Sequence, residues 1–341
     1  MRRVLWIDKG DASFVRSDLE LLKGHADVHR IDFRHRGIRA ALWLIGRGLT
    51  LWWNVLRSDV VVVQFGGWHG LPALFWARVL RRRSRLFLHG VDCVAIPSIG
   101  YGNFSTVGQA WATRRCYRWA SVLVPMHESL IERTDVFNDG RVSRQGIRVH
   151  DPGCRTPIRV LHHGFDTERW PLGREERSGF VTVALDAFGP RTSVLKGIDL
   201  VLAAAGRMPE VPFTIIGEGP TSGEALPPNI EIVAPMPQRE LTRYYQRASG
   251  YLQLSLSEGF GCALAEAMLS GCIPVVSGAG SLPDVASGAG PVVHERSVDA
   301  VVQALTDVLK GKGSWADPRA AIQARFPLGA RASGLRALLT S

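Results

Sequence analysis

The sequence predicts an α/β protein built from two doubly wound, Rossmann-like parallel sheets. Three observations carry this. Short apolar, β-branched runs alternate with helical patterns along the whole chain. Two of these runs, DVVVVQF (59–65) and IPVVSG (273–278), are almost continuously apolar, as for parallel strands covered on both faces. The chain has 341 residues, more than one core usually serves.

In the first half, strands are expected at 3–8, 27–33, 59–65, 85–90, 121–126 and 158–164. In the second half they are expected at 180–185, 213–219, 230–235, 251–256, 273–278 and 290–295. Helical stretches between them imply right-handed crossovers. The polar stretch DTERWPLGREERSG (166–179) contains Pro and Gly and reads as a linker. The expected division is a first domain over 1–165, the linker 166–179, a second domain over 180–327, and a final helix over 328–341 that can cross back to the first domain. Ligands of such sheets bind outside the carboxyl ends of the strands, so the expected site is a central cleft where the two sets of ends face each other.

Hydrophobic residues make up 46% of the chain, far from a disordered composition. No apolar run of about 18 residues suggests a spanning helix, and Met1 leads straight into RRVLWID with no signal-peptide pattern. Cys93, Cys116, Cys154, Cys262 and Cys272 are scattered without a C-x-x-C pair, as in a reduced, cytoplasmic protein with no zinc site. The net charge of +10 is uneven: residues 1–165 hold 25 Lys/Arg against 13 Asp/Glu, and residues 166–341 hold 16 against 18. Eight of the ten tryptophans lie in the first half, which suits a membrane face or an acidic ligand. Residues 36–57 read as a helix on which Arg36, Arg39, Arg47 and Arg57 fall within roughly 80° of arc, the rest being mostly apolar. That face suits peripheral docking at an anionic inner membrane surface. No nucleic-acid-binding motif accompanies the basic half.

The chemistry is expected just after strands. In LSLSEGFGCALAEAMLSGCIPVVSG (254–278), Glu258 follows a strand, and Gly259-Phe260-Gly261 turns the chain into a helix starting near Cys262. Glycines there allow close approach to a bulky ligand, and a helix N-terminus offers donors to phosphate. Glu266, one turn in, is placed to accept hydrogen bonds from a pair of hydroxyls, as of a ribose.

This stretch resembles the E-x7-E signature of glycosyltransferase family 4, retaining enzymes of the two-domain GT-B fold. VLHHGFDTERW (160–170), with His163 where the family usually has Asn, LKGIDLVLAAA (195–205) and FTIIGEGP (213–220) are similar to further family segments in the same order. The resemblance implies a metal-independent enzyme, with no other cofactor, that moves a sugar from a nucleotide-diphosphate donor to a hydroxyl acceptor; with the basic, apolar face of 36–57, the expected acceptor is a lipid-linked or cell-surface glycan precursor. It implies that Lys196 and Arg191 neutralise the donor diphosphate, that Gly217 and Gly219 form its Gly-x-Gly turn, and that Glu258 lies beside the donor sugar. It implies that His89 lies on the acceptor side, in the first domain. Trp68, in the loop FGGWHG (65–70), is a candidate for stacking on a sugar ring. The first βα turn, DKGDASF (8–14), keeps only Gly10 of the family's glycine-rich loop. Alternatives are a nucleotide-sugar-binding protein without turnover, and a sugar-nucleotide epimerase or phosphorylase of the same architecture. A dinucleotide dehydrogenase is disfavoured, because no G-x-G-x-x-G follows the first strand.

Overall fold

The computed structural model describes residues 1–10, 12–33, 50–137, 143–221 and 225–340. Arg36, Arg39 and Arg47 lie outside the described residues. The chain divides into two compact units. One comprises Met1–Arg133, Gln145–Gly164 and Leu328–Ser341; the other comprises Thr134–Arg144 and Phe165–Pro327.

The first unit is built on β1 (Arg2–Asp8), β2 (Ala26–Asp32), β3 (Val60–Gln64), β4 (Arg83–Leu88) and β5 (Val122–Pro125). They form a parallel sheet in the order β2-β1-β3-β4-β5, which reverses direction between β1 and β3. Every residue of β3 is buried, which is why its sequence shows no polar alternation. Residues 158–164 do not form a regular strand. Only Ile158 bridges Leu123, although Leu161 N–H still donates to the Pro125 carbonyl at 3.1 Å. Pro125 has no N–H to return, so the ladder cannot continue there.

The helix Ser13–Leu22 buries Val15 and Leu22, and with them the carboxylate of Asp18. Its partner is Arg331 on the C-terminal helix Leu328–Thr340: Arg331 Nε and Nη2 donate to the two Asp18 oxygens at 2.9 and 2.6 Å. A fork-to-fork geometry of this kind fixes orientation as well as charge.

A short ribbon, β6 (Arg133–Asp135) with β7 (Ser143–Gln145), precedes the main sheet of the second unit. The main sheet comprises β8 (Phe180–Val183), β9 (Phe213–Ile216), β10 (Ile230–Val233), β11 (Gly250–Gln253), β12 (Ile273–Ser277) and β13 (Val292–Val293). Its order is β10-β9-β8-β11-β12-β13, with all neighbours parallel and the reversal between β8 and β11. The polar stretch 166–179 is tied down within this unit. Arg177 donates to the carbonyls of Tyr245 and Ala248 at 2.9 Å each, and Arg319 donates to Thr167 at 3.2 Å.

Candidate functional site

In a doubly wound sheet the ligand crevice opens where the strand order reverses. In the second unit that place is the pair of loops leaving β8 and β11. The loop after β8 leads into the helix Pro190–Lys196, which ends at Gly197 in the left-handed conformation, φ 71°. A Cβ at Gly197 would stand 2.3 Å from the Leu254 carbonyl oxygen, so only glycine lets the two loops touch. Leu256 N–H then donates to the Leu195 carbonyl at 2.9 Å. These contacts place Lys196 beside the turn after β11, and its Nζ donates to Glu258 Oε2 at 2.9 Å. Both side chains are part-buried, with 32% and 17% of their surface exposed, so each remains reachable from solvent.

The turn itself is anchored from below. Phe260 is buried, its ring centroid 5.8 Å from that of Phe165 and 5.0 Å from that of Phe326. That packing leaves the backbone of the turn, rather than the Phe260 ring, to meet a ligand. Gly261 caps the helix Cys262–Leu269 with φ 90°, and Gly280 N–H donates to Asp135 Oδ1 at 3.0 Å. Gly217 is demanded by packing, since a Cβ would lie 2.0 Å from the Ala184 oxygen, whereas Gly219 meets nothing closer than Ile232 at 3.7 Å. Arg191 is exposed in the first turn of its helix, five residues before Lys196. Five residues rotate about 140°, so the two cations leave different sides of the helix. The structure thus brings together Lys196, Glu258 and the Gly259–Cys262 turn, with Arg191 at the opposite end of the Lys196 helix.

Glu266 is buried rather than exposed on a helix face. Its Oε1 accepts a hydrogen bond from Gln238 Nε2. Burial pushes its pKa up to about 8, against the opposing pull of that donor. Sequence reading missed Gln238, which comes from a neighbouring helix with no local signature. It also missed Gln253, which ends β11 and leaves Oε1 buried and unpaired, 3.6 Å from where a Cβ on Gly261 would stand.

The Glu266 shift has a testable sign. Between pH 4.5, its ordinary value, and about 8, the folded chain holds a proton that the unfolded chain has lost. Stability therefore falls as pH rises through that window and levels off above it. Glu266→Gln removes the titration. Urea melts should show the variant gaining on wild type by an amount on the order of 3–5 kcal/mol from pH 4.5 to 8. Parallel pH profiles would show that the carboxyl is not held neutral.

In the first unit, His89 follows β4 and its Nε2–H donates to Gln64 Oε1 at 2.6 Å. Its ring stacks on Phe14 at 4.5 Å, and the His163 ring lies 5.8 Å away. Burial, aided by the Arg331 charge, pushes its pKa down to about 3, so the ring is neutral at pH 7. Trp68 is 45% exposed and lies against Trp111, ring centroids 5.4 Å apart.

Among the described residues one group of potential metal ligands gathers, His127, Glu128 and His162. His162 Nε2 meets Glu128 Oε2 at 2.8 Å. Ser129 N–H donates to His127 Nδ1 at 3.1 Å, so the ring proton sits on Nε2, the nitrogen a metal would need. His162 is paired with Glu128 and His127 with Ser129, and we assign the cluster no ion.

Residues 187–325 match the family model described as Glycosyl transferases group 1. D-inositol 3-phosphate glycosyltransferase of Mycolicibacterium gilvum (strain PYR-GCK) is 29% identical over 208 residues, 53% of this chain and 46% of the relative. GDP-mannose:cellobiosyl-diphosphopolyprenol alpha-mannosyltransferase of Xanthomonas campestris is 27% identical over 163 residues, 43% of each chain. In both cases the match spans less than half of the relative's own length. Among solved structures, Anabaena HepE in complex with UDP and glucose superposes with a TM-score of 0.73 at 12% identity, covering 100% of both chains. Sucrose-phosphate synthase from Thermosynechococcus elongatus gives 0.70 at 13% identity, covering 100% of this chain and 98% of that one. The family match is confined to residues 187–325, and the likeness to the solved structures shows the GT-B fold.

Proposed function

We propose that the chain transfers a sugar from a nucleotide-diphosphate sugar to a hydroxyl acceptor, with retention of anomeric configuration. The observation that carries this reading is the Lys196–Glu258 contact at the β8/β11 reversal, beside a glycine turn that opens a helix. When the bond between the sugar C1 and the donor phosphate breaks, charge grows on the departing diphosphate. Lys196 and the turn's backbone amides neutralise it there, an interaction stronger in the transition state than in the bound donor. A new C1–O bond forms to the acceptor on the same face, and the acceptor proton passes to the leaving phosphate oxygen. Glu258 accepts hydrogen bonds from the donor sugar. Glu258 also pairs with Lys196, so donor binding exchanges one anion for another on the lysine. The names of the relatives, which include acceptors carrying phosphate, support a lipid-linked or other phosphorylated glycan precursor as acceptor. The test is a panel of nucleotide sugars, with release of nucleotide diphosphate as the readout. Donor binding without turnover across many acceptors would favour a binding protein, and no binding at all would remove both readings.

We also infer peripheral docking at an anionic membrane surface. Among the described residues no helix is long and apolar enough to cross a membrane. Residues 60–127, however, hold eight arginines and a single acid, Asp92, which is buried. The helices Leu71–Val79 and Val107–Trp119 leave Phe75, Val79, Val107 and Trp111 exposed, and Trp111 lies beside the exposed Trp68. The Arg115 guanidinium lies 5.6 Å from the Trp111 ring centroid. Exposed tryptophan beside arginine is the chemistry of an anionic interface. Arg57, over the Trp53 ring at 5.4 Å, repeats the pairing. Co-sedimentation with phosphatidylglycerol vesicles is expected, weakened by salt, and about tenfold weaker for Trp68→Ala/Trp111→Ala. Salt-independent binding, or none, would count against the docking.

A further inference from the structure

The first unit has its own reversal point, between β1 and β3, and the residues beyond those two strand ends are unlike those of the second unit. β1 runs out into Lys9-Gly10, and β3 ends at Gln64 and runs into Phe65-Gly66-Gly67. Lys9 is one of five lysines in a chain with 36 arginines. Its neighbour Asp8 is already committed, holding Arg30 at 2.7 and 3.0 Å and the Gly10 N–H at 2.9 Å. Lys9 itself makes no ion pair among the described residues. Its Nζ stands 5.7 Å from the Phe65 ring centroid, and Gly10 next to it has open space around its Cα. Desolvation lowers the Lys9 pKa, with buried Asp92 opposing.

Beneath Lys9 lie unpaired polar atoms. Gln64 is wholly buried; its Oε1 takes the His89 proton, and its Nε2 donor has no partner. His69, also buried, donates from Nε2 to the Gln64 carbonyl at 2.8 Å, which leaves Nδ1 an unpaired acceptor. His89 Nδ1 is a second such acceptor. Buried polar atoms are nearly always paired, so one free donor and two free acceptors within a few residues need an explanation. Burial holds both rings neutral at pH 7, with pKa values pushed down to about 3. Phe65 roofs this floor, its ring 4.5 Å from that of His89, and its backbone sits at φ 68°, a conformation phenylalanine rarely adopts. Strain of that kind gathers at ligand sites and switches.

We propose that this crevice binds a sugar-linked phosphate, Lys9 pairing with the phosphate while Gln64, His69 and His89 take hydroxyls once the strained Phe65 roof gives way. Calling that ligand the acceptor rests on the transferase reading above; the binding itself does not. A neutral imidazole nitrogen accepts from a hydroxyl, an amide donates to one, and a lysine supplies the point charge a phosphate needs. The phosphate belongs either to a free sugar phosphate or to a lipid-linked sugar diphosphate.

The test is calorimetric titration of the full chain with glucose 6-phosphate, glucose, and undecaprenyl-diphosphate-glucose in detergent micelles. One of the two phosphorylated probes is expected to bind, with glucose at least tenfold weaker. Lys9→Ala should lose tenfold or more, while Lys9→Arg stays within about threefold, which separates lost charge from lost fold. Binding by glucose 6-phosphate assigns the free sugar phosphate, and binding by the lipid probe alone assigns the carrier. Equal affinity of Lys9→Ala and wild type, or no binding of either phosphorylated probe, overturns the proposal. UDP and GDP titrations run alongside. Loss of nucleotide binding in Lys9→Ala with sugar-phosphate binding intact would move the lysine to the donor and also overturn it. Wild type that takes the sugar phosphate but no nucleotide would instead sink the transferase reading and leave this site standing.

Discussion

Alanine at Lys196 or at Glu258 is expected to lower the rate of sugar transfer by about 10²-fold or more, the scale seen when one charge-stabilising group is removed from a reacting site. The two variants should differ in how they bind the nucleotide diphosphate product. Lys196→Ala removes the cation and leaves Glu258, 83% of whose side-chain surface is buried, facing an incoming anion. Nucleotide diphosphate affinity should fall together with the rate. Glu258→Ala removes the carboxylate that holds Lys196 Nζ at 2.9 Å. With Glu258 no longer competing for the lysine, that variant should bind the nucleotide at least as tightly as wild type while losing turnover. Because the two side chains share one contact, the double variant should cost less than the two single losses combined. Steady-state kinetics and a nucleotide titration on the four proteins read all of this. Unchanged nucleotide affinity in Lys196→Ala would mean that the lysine does not face the diphosphate.

The fold was legible because period and length are local properties. The apolar runs at 59–65 and 273–278 are β3 and β12, and the alternation of strand and helix is the order of the two parallel sheets. The strands stop short of the predicted ends. His89-Gly90, Gly217–Gly219 and Leu254–Leu256 leave the sheets as loops, where glycine and polar groups begin. The site was legible as far as it is local. Glu258 and the Gly259–Cys262 turn could be named from their place after a strand and Lys196 from the family resemblance, and the contact between Lys196 and Glu258 follows from the close approach at Gly197. What escaped were partners supplied by other elements. Nothing near Glu266 announces Gln238, so the carboxyl could not be foreseen as buried and raised in pKa. Gln64 and Gln253 did carry a signal, since each ends an otherwise apolar strand. A polar side chain in that place faces the crevice more readily than the core. The turn at Lys9 reads in sequence as a loss of glycines; in the structure it is the gain of a cation.

The buried pair Arg331–Asp18 should carry the largest single effect on stability. Both residues are about 2% exposed and lie in the same unit, although 313 positions separate them. Arg331 Nη1 also donates to the carbonyls of Leu161 at 2.7 Å and His162 at 3.1 Å, and the guanidinium lies 5.6 Å from the Phe87 ring centroid. Arg331→Met keeps the volume but strands a buried carboxylate and two carbonyls. The expected cost is about 3–5 kcal/mol, the range for breaking one partner out of a buried pair. Asp18→Leu/Arg331→Met removes both charges together and should recover much of that loss, because desolvation of a matched pair offsets most of its attraction. Recovery stays incomplete, since the Leu161 and His162 carbonyls still lack their donor. Urea melts on the single and double variants give the energies. Amide exchange over Leu328–Thr340 should quicken first in Arg331→Met, because this pair holds that helix to the first unit. A single variant within 1 kcal/mol of wild type would show that the C-terminal helix is held by its apolar contacts alone, with Leu335, Leu338 and Leu339 sufficient without the ion pair.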